Sequence, residues 1–237
     1  MRQVAIAIVL LLGSPAYEQP GLTVTIHGRV EAVMNGKPAK PPDGGLWVYV
    51  VDKDRSHKRS AKTALKTKTI AQRTIKQVPT YDPHVLVVAK GTEIDFPNND
   101  SEDHNVFSPD PFFDLNRYGP GKSKTRKFDT PMEQEIYCDI HKCMWARVKV
   151  VDVLDDTYIQ QVQPDGTYSF ELPPGTYEVY AWAVASSDVA TGTPQVLAAG
   201  HTWNVPELHV QLGQLDLNHK NKTGQNYPPS SLYNGCP

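Results

Sequence analysis

Apolar and polar residues alternate with a period of two along most of this chain, which is the pattern of β-strands that bury one face. Residues 21–52 show it first and predict two or three strands, with a hairpin signal at Asn35-Gly36. Further strands are predicted at residues 83–88, 91–97, 122–129 and 133–137. The last two are predicted to pair as a hairpin that leads into Cys138. The predicted fold class is all-β.

The alternation continues beyond Val153, but with different turns. Residues 165–179 read D-G-x-Y-x-F-x-L-P-P-G-x-Y-x-V, in which Asp-Gly and Pro-Pro-Gly turns bound two strands. This run resembles the small transthyretin-like or carboxypeptidase-regulatory-like β-sandwich. The resemblance implies a β-sandwich over residues 154–214, followed by a loosely docked polar tail over residues 215–237. The strands of residues 17–52 are predicted to belong to the sandwich.

Composition and charge exclude several classes of protein. The 237 residues carry a formal net charge of -2, which gives no basis for nucleic-acid binding.

Residues 1–16 combine one arginine, a short apolar run and Ser14-Pro15-Ala16, the pattern of a secretory signal peptide. Export is therefore expected, to the periplasm if the source is a Gram-negative bacterium and otherwise out of the cell. No apolar segment reaches the roughly 20 residues of a membrane-spanning helix.

Residues 53–76 interrupt the strand pattern with nine lysines and arginines and few large apolar residues. This stretch is predicted to be a basic loop or a short exposed helix. A run of like charges is most often a solvated insert. The alternative is a docking surface, from Lys53 to Lys76, for an acidic partner protein or an anionic lipid surface, since clustered cations steer association.

Four residues of types that bind metals stand out in the middle of the chain. Cys138, His141 and Met144 follow the spacing C-x2-H-x2-M, and His104 comes from a different predicted strand end. A thiolate, two imidazoles and a weak thioether are the ligands that select copper in a trigonal His2Cys site with an axial Met. The sequence therefore predicts one mononuclear copper ion, held by these four side chains.

A zinc site and a binuclear copper site are the rival metal centres for this part of the chain. Zinc could use Cys138, His141, Cys143 and His104 as a tetrahedral set, but Met144 would then have no role. A binuclear copper site fits less well, because the two cysteines do not stand at the expected separation around His141. Each residue taken singly is also a common core residue. A purely structural role does not predict all four together.

The flanking sequence carries a resemblance to a known family. Gly91-Thr-Glu-Ile-Asp-Phe-Pro-Asn98, His104-Asn-Val-Phe-Ser108 and the short Cys138–Met144 loop resemble the type 1 copper proteins called cupredoxins, in the plastocyanin and amicyanin style. The resemblance covers residues 85–153 closely and implies a Greek-key β-sandwich or barrel over residues 77–153. It implies copper ligation by His104, Cys138, His141 and, at long range, Met144.

The same resemblance implies roles for four positions around the copper. Asn105 is similar to an asparagine whose side chain bonds across to the cysteine loop, where this chain has Asp139 in place of the more frequent Ser or Thr. Such outer hydrogen bonds orient the ligands. His141 is expected near the surface as the point of electron entry, and Tyr137 beside Cys138 is a second route.

Three cysteines leave one unpaired in an exported protein. If Cys138 binds the metal, Cys143 and Cys236 can form a disulfide. The equal alternative is that Cys236 is a free or intermolecular thiol.

The function expected is that of an exported one-electron carrier that serves an unidentified redox partner protein. The alternative is a module that binds, stores or delivers copper without redox turnover, or a structural β-sandwich that recognises a surface. An enzyme is not expected, because the remaining histidines show no paired spacing for a second copper: His27, His57, His84, His201, His209 and His219.

Overall fold

The computed structural model describes residues 23–59 and 64–228. The predicted signal peptide and Cys236 both lie outside these ranges. Within them the chain is built of strands, turns and one short 3-10 turn, which confirms the all-β prediction. The part of the chain that the structure describes contains no helix that is long and apolar enough to cross a membrane.

The strands in chain order are β1 (Val24–Met34), β2 (Lys37–Pro38), β3 (Leu46–Asp52), β4 (Lys68–Thr69), β5 (Ala71–Ile75), β6 (Val78–Asp82), β7 (Val85–Ala89), β8 (Thr92–Pro97), β9 (Phe107–Pro109), β10 (Phe112–Asp114), β11 (Ser123–Phe128), β12 (Met132–Tyr137), β13 (Trp145–Val151), β14 (Ile159–Gln161), β15 (Thr167–Leu172), β16 (Gly175–Ala183), β17 (Val189–Ala190), β18 (Gln195–Leu197), β19 (Thr202–Asn204) and β20 (Leu208–Gln211). The 3-10 turn, Asp156–Tyr158, precedes β14.

One β-sandwich, called here the terminal sandwich, joins the two ends of the described chain. Its first sheet pairs β1 with β15 in antiparallel register and with β19 and β20 in parallel. Its second sheet pairs β3 with β14 and β16. The strands before residue 53 are thus held by strands after residue 158, and the region that contains the candidate ligands is inserted between them.

The inserted region has three sheets of its own. The first has the strand order β10-β9-β12-β13-β7, the second has the order β11-β8-β4, and the third is the pair β5-β6. Val88 and Val148 of the first sheet share a buried core with Ile94 and Phe96 of the second. Cys138 and Met144 belong to this core as well.

The first of these sheets is buried on both faces. Because successive side chains point to opposite faces, Ile136 faces the inserted core while Tyr137 faces the other way. Val85, Trp145 and Tyr137 on that second face pack in one core with the terminal sandwich. A strand buried on both sides is uniformly apolar, as β7 is.

Two predicted elements are wrong. β11 pairs with β8 and β12 pairs with β13 and β9, so they lie in different sheets and do not form a hairpin. Residues 53–76 are not a continuous loop or helix, because β4 and β5 lie within them and Ile70 and Gln72 are fully buried. The lysine and arginine on these short strands hid the alternation of apolar and polar residues by which a strand is recognised in a sequence.

Much of the basic charge in residues 53–76 is neutralised within the chain. The ion pairs are Lys53 with Glu178, Arg55 with Asp152, Lys68 with Asp156 and Arg73 with Asp82. The stretch is held against neighbouring strands by these contacts, and it offers less free positive charge for docking than its composition indicates.

Candidate metal centre

The loop between β12 and β13 closes on itself and buries Cys138 and His141. The Cys138 N–H donates to the Met144 carbonyl at 3.3 Å, and the Met144 N–H donates to the His141 carbonyl at 3.1 Å. His104 is fixed separately by two backbone hydrogen bonds with Tyr118, at 3.1 and 2.9 Å. Residues from two distant segments are thus held at one end of the inserted core.

His104, Cys138 and His141 form one compact donor group. One ligand atom from each lies within 4.8 Å of the others, and all three residues are fully buried. The two Nδ1 atoms of the histidines are 2.9 Å apart, and Cys138 Sγ is 3.7 Å from His141 Nδ1. Metal–nitrogen bonds of about 2.0–2.1 Å and metal–sulfur bonds of about 2.3 Å would let one ion span these separations.

The other two candidate ligands are placed differently. Met144 is fully buried in the same core as Cys138. Cys143 is outside the donor group and lines a surface groove with His84 and Trp145. The donor set therefore matches the copper prediction better than the zinc set, which required Cys143.

Burial favours the neutral forms of Cys138 and His141 in the metal-free chain. It raises the pKa of the Cys138 thiol, although the Ile140 N–H approaches the sulfur at 3.5 Å. It also lowers the pKa of His141 to about 4, with a further contribution from the neighbouring His104. A metal cation would have to displace the thiol proton to bind Cys138.

Each histidine has a carboxylate behind it. His104 Nε2 lies 3.0 Å from Asp100 Oδ2, and His141 Nε2 lies 3.6 Å from Glu102 Oε2. Burial raises the pKa of Asp100, but hydrogen bonds from Thr74, the Ser101 backbone and His104 outweigh it and hold the pKa below its usual range. A carboxylate that is hydrogen-bonded to the outer ring nitrogen, as Asp100 is to His104, fixes the ring orientation of a metal-binding histidine. Sequence reasoning missed both, although they lie four and two residues before His104.

Asn105 does reach the cysteine loop. Its Oδ1 accepts the backbone N–H of Asp139 at 3.3 Å, and its Nδ2 donates to Asp114 Oδ1 at 2.7 Å. Because the loop contributes a backbone group, the bond does not depend on the side chain at position 139. The Asp139 carboxylate instead contacts Arg117 Nη2 at 3.2 Å and the Lys222 N–H at 3.2 Å.

The prediction that His141 lies near the surface is wrong, because the structure leaves it 0% exposed. The segment that carries Glu102 and His104 covers it. Tyr137 is also buried, on the opposite face of its sheet from Cys138, and its ring stacks on His219 with centroids 3.8 Å apart. The tail therefore contacts the ligand loop at His219, Lys222 and Tyr227. Sequence reasoning gave His219 no role.

Comparison with known proteins finds no related sequence, and it finds solved structures of copper proteins that match part of this chain. No family model and no curated protein matches this sequence. Among solved structures, a purple cupredoxin from Nitrosopumilus maritimus matches with 22% identity and a TM-score of 0.33, over 35% of this chain and 99% of that one. A reduced Cu(I) form of an amicyanin variant matches with 17% identity and a TM-score of 0.33, over 44% of this chain and 99% of that one.

A copper-containing nitrite reductase from Thermus scotoductus SA-01 matches with 19% identity and a TM-score of 0.33, over 51% of this chain and 28% of that one. At these identities and TM-scores the matches say nothing about the chemistry of this chain.

Proposed function

We propose that this chain is an exported blue-copper protein that carries single electrons to or from a redox partner protein. The observation that carries the proposal is the buried group of His104, Cys138 and His141, whose ligand atoms converge within 4.8 Å. Met144, buried in the same core as Cys138, would complete the set as a weakly held ligand. Export rests on the signal-peptide pattern of residues 1–16.

The donor chemistry fits copper. Two imidazoles and a thiolate in a trigonal arrangement are typical of blue-copper sites, and the bound ion supplies one-electron redox chemistry. The protein contributes the rest. Backbone hydrogen bonds close the ligand loop, Asn105 ties that loop to the segment of His104, and complete burial excludes water. A group already assembled without metal needs little rearrangement when the charge of the ion changes.

The same burial supports a carrier over the alternatives. A catalytic metal keeps a coordination position open to substrate, whereas these three donors have no exposed surface. A store or delivery module has to release its ion readily, and enclosed donors held by a rigid sheet oppose release.

Visible absorption after addition of Cu(II) to the purified protein tests this assignment. We expect one copper per chain and an intense thiolate-to-copper charge-transfer band. Cys138→Ser should abolish the band, while Cys143→Ser, which changes a cysteine outside the donor group, should keep it. A protein that binds zinc tightly and stays colourless with Cu(II) would contradict the assignment.

A further inference from the structure

Two separate chains of contact lead from Cys138 to the same residue, His219. The first passes through the neighbouring Tyr137, whose ring lies nearly parallel to the His219 ring, at an angle of 13° and a centroid distance of 3.8 Å. The second passes through Tyr227, whose hydroxyl donates to the Cys138 carbonyl and lies 3.3 Å from His219 Nδ1. His219 thus joins both contact chains.

His219 is also fixed in place. Its Nε2 lies 2.8 Å from the Lys142 carbonyl oxygen, on the ligand loop itself. Its partner Tyr137 is held from the other side by Arg147, which donates to the tyrosine hydroxyl at 3.2 Å. Aromatic rings in fixed, close contact give good electronic coupling, and rings that move do not.

The outer edge of His219 reaches solvent, whereas His141 does not. His219 is half-buried and lines a surface recess of about 310 Å³. Two exposed lysines, Lys142 and Lys220, line the same recess. The residues that line it in the described chain include no carboxylate, and the nearby Asp139 carboxylate is occupied by Arg117 and by the Lys222 N–H.

We propose that His219 is the electron port of this protein, and that the recess beside it docks an acidic redox partner. The proposal rests on the proposed function and names the surface through which it operates. With copper bound, Tyr137 and Tyr227 would provide two contact routes by which one electron could pass between the donor group and His219, and the acceptor would take up that electron. No bond is broken and no proton is transferred. Lys142 and Lys220 attract the partner by complementary charge.

Stopped-flow oxidation of the copper-loaded, reduced protein by ferricyanide tests the charge of the port. This anionic reagent takes one electron and becomes ferrocyanide. Lys220→Glu should slow the reaction roughly tenfold at low ionic strength, and the effect should shrink as salt rises. Lys37→Glu is the matched control, because it makes the same change on the exposed strand β2 of the terminal sandwich. Equal rates of oxidation by ferricyanide for the two variants would contradict the proposal that the recess is a docking surface.

A second reagent separates local charge from a general effect. Oxidation by the cationic tris(phenanthroline)cobalt(III) should not be slowed by Lys220→Glu, because a cation is not attracted to the recess. Equal slowing with both reagents would contradict the proposal.

His219→Leu tests the route itself. It removes the stacked ring while the ligands stay, so we expect slower oxidation by ferricyanide with an unchanged visible band and reduction potential. A wild-type rate would overturn the route through His219. Failure of the proposed function looks different, since the wild-type chain would then form no thiolate-to-copper band and show no copper-dependent oxidation.

Discussion

Cys138 is a neutral thiol in the metal-free core, because burial raises its pKa. Copper binding must therefore expel a proton. At pH 8, above the ordinary pKa of imidazole, we expect about one proton to be released for each copper bound. Titration with Cu(II) in weak buffer, followed with a pH indicator, measures it. Cys138→Ser should release none, and a wild-type chain that binds copper without proton release would show that the sulfur is not a ligand.

Met144 is fully buried in the same core as Cys138, and its thioether would tune the reduction potential of a bound copper as a weak ligand. Met144→Gln replaces it with a harder oxygen donor that favours Cu(II). The potential should fall while copper stays bound. Met132→Gln makes the same change on β12 as a control and should leave the potential unchanged. A potential that does not respond to Met144→Gln would remove Met144 from the ligand set.

The ligand loop and the tail form one structural unit. Cys143 stands on the loop between His141 and Met144, and His219 and Tyr227 hold the tail against that loop. Cys143 is disulfide-bonded, whereas Cys138 is free. Cys236 lies outside the described residues, so its identity as the partner stays a prediction. A disulfide would close a loop of about 90 residues and stabilise the fold by roughly 2–5 kcal/mol. Intact-mass measurement with and without reductant decides it. Two free thiols in the copper-loaded protein would exclude the bond.

The elements differ in how far the sequence could predict them. Three candidate ligands lie within seven residues, so their convergence follows from local spacing and a strand end. Strand alternation identified β8 and β12 but not their partners, because pairing depends on which faces are buried. That is why β11 and β12 were wrongly joined as a hairpin. The contact of His219 with Tyr137 joins residues 82 positions apart, and no local pattern marks it.

Across the described chain, the inserted region and the terminal sandwich share apolar contacts. Val85, Tyr137 and Trp145 of the inserted region lie in one core with Val48 and Val179 of the sandwich. The sequence predicted that residues 17–52 belong to the sandwich, but it gave no strand pairing between them and the later strands. β1 pairs with β15, more than a hundred residues away, and the alternation of residues within each strand does not indicate its partner.

A shared core predicts cooperative unfolding. A copper ion that binds the folded chain in preference to the unfolded one should raise the unfolding midpoint of both regions together. We expect a single calorimetric transition that moves up on copper loading, and fluorescence of the buried tryptophans, such as Trp182 in the sandwich, should follow the same curve. Two transitions, of which copper moves one, would show that the two regions unfold independently.

An electron carrier of this kind has to exchange single electrons without changing its ligands. Voltammetry of the copper-loaded protein is the decisive measurement. We predict a reversible one-electron wave that persists over repeated cycles, with the copper content of the protein unchanged afterwards. An irreversible response with loss of copper on reduction would contradict the proposed function and would favour a protein that stores or delivers copper.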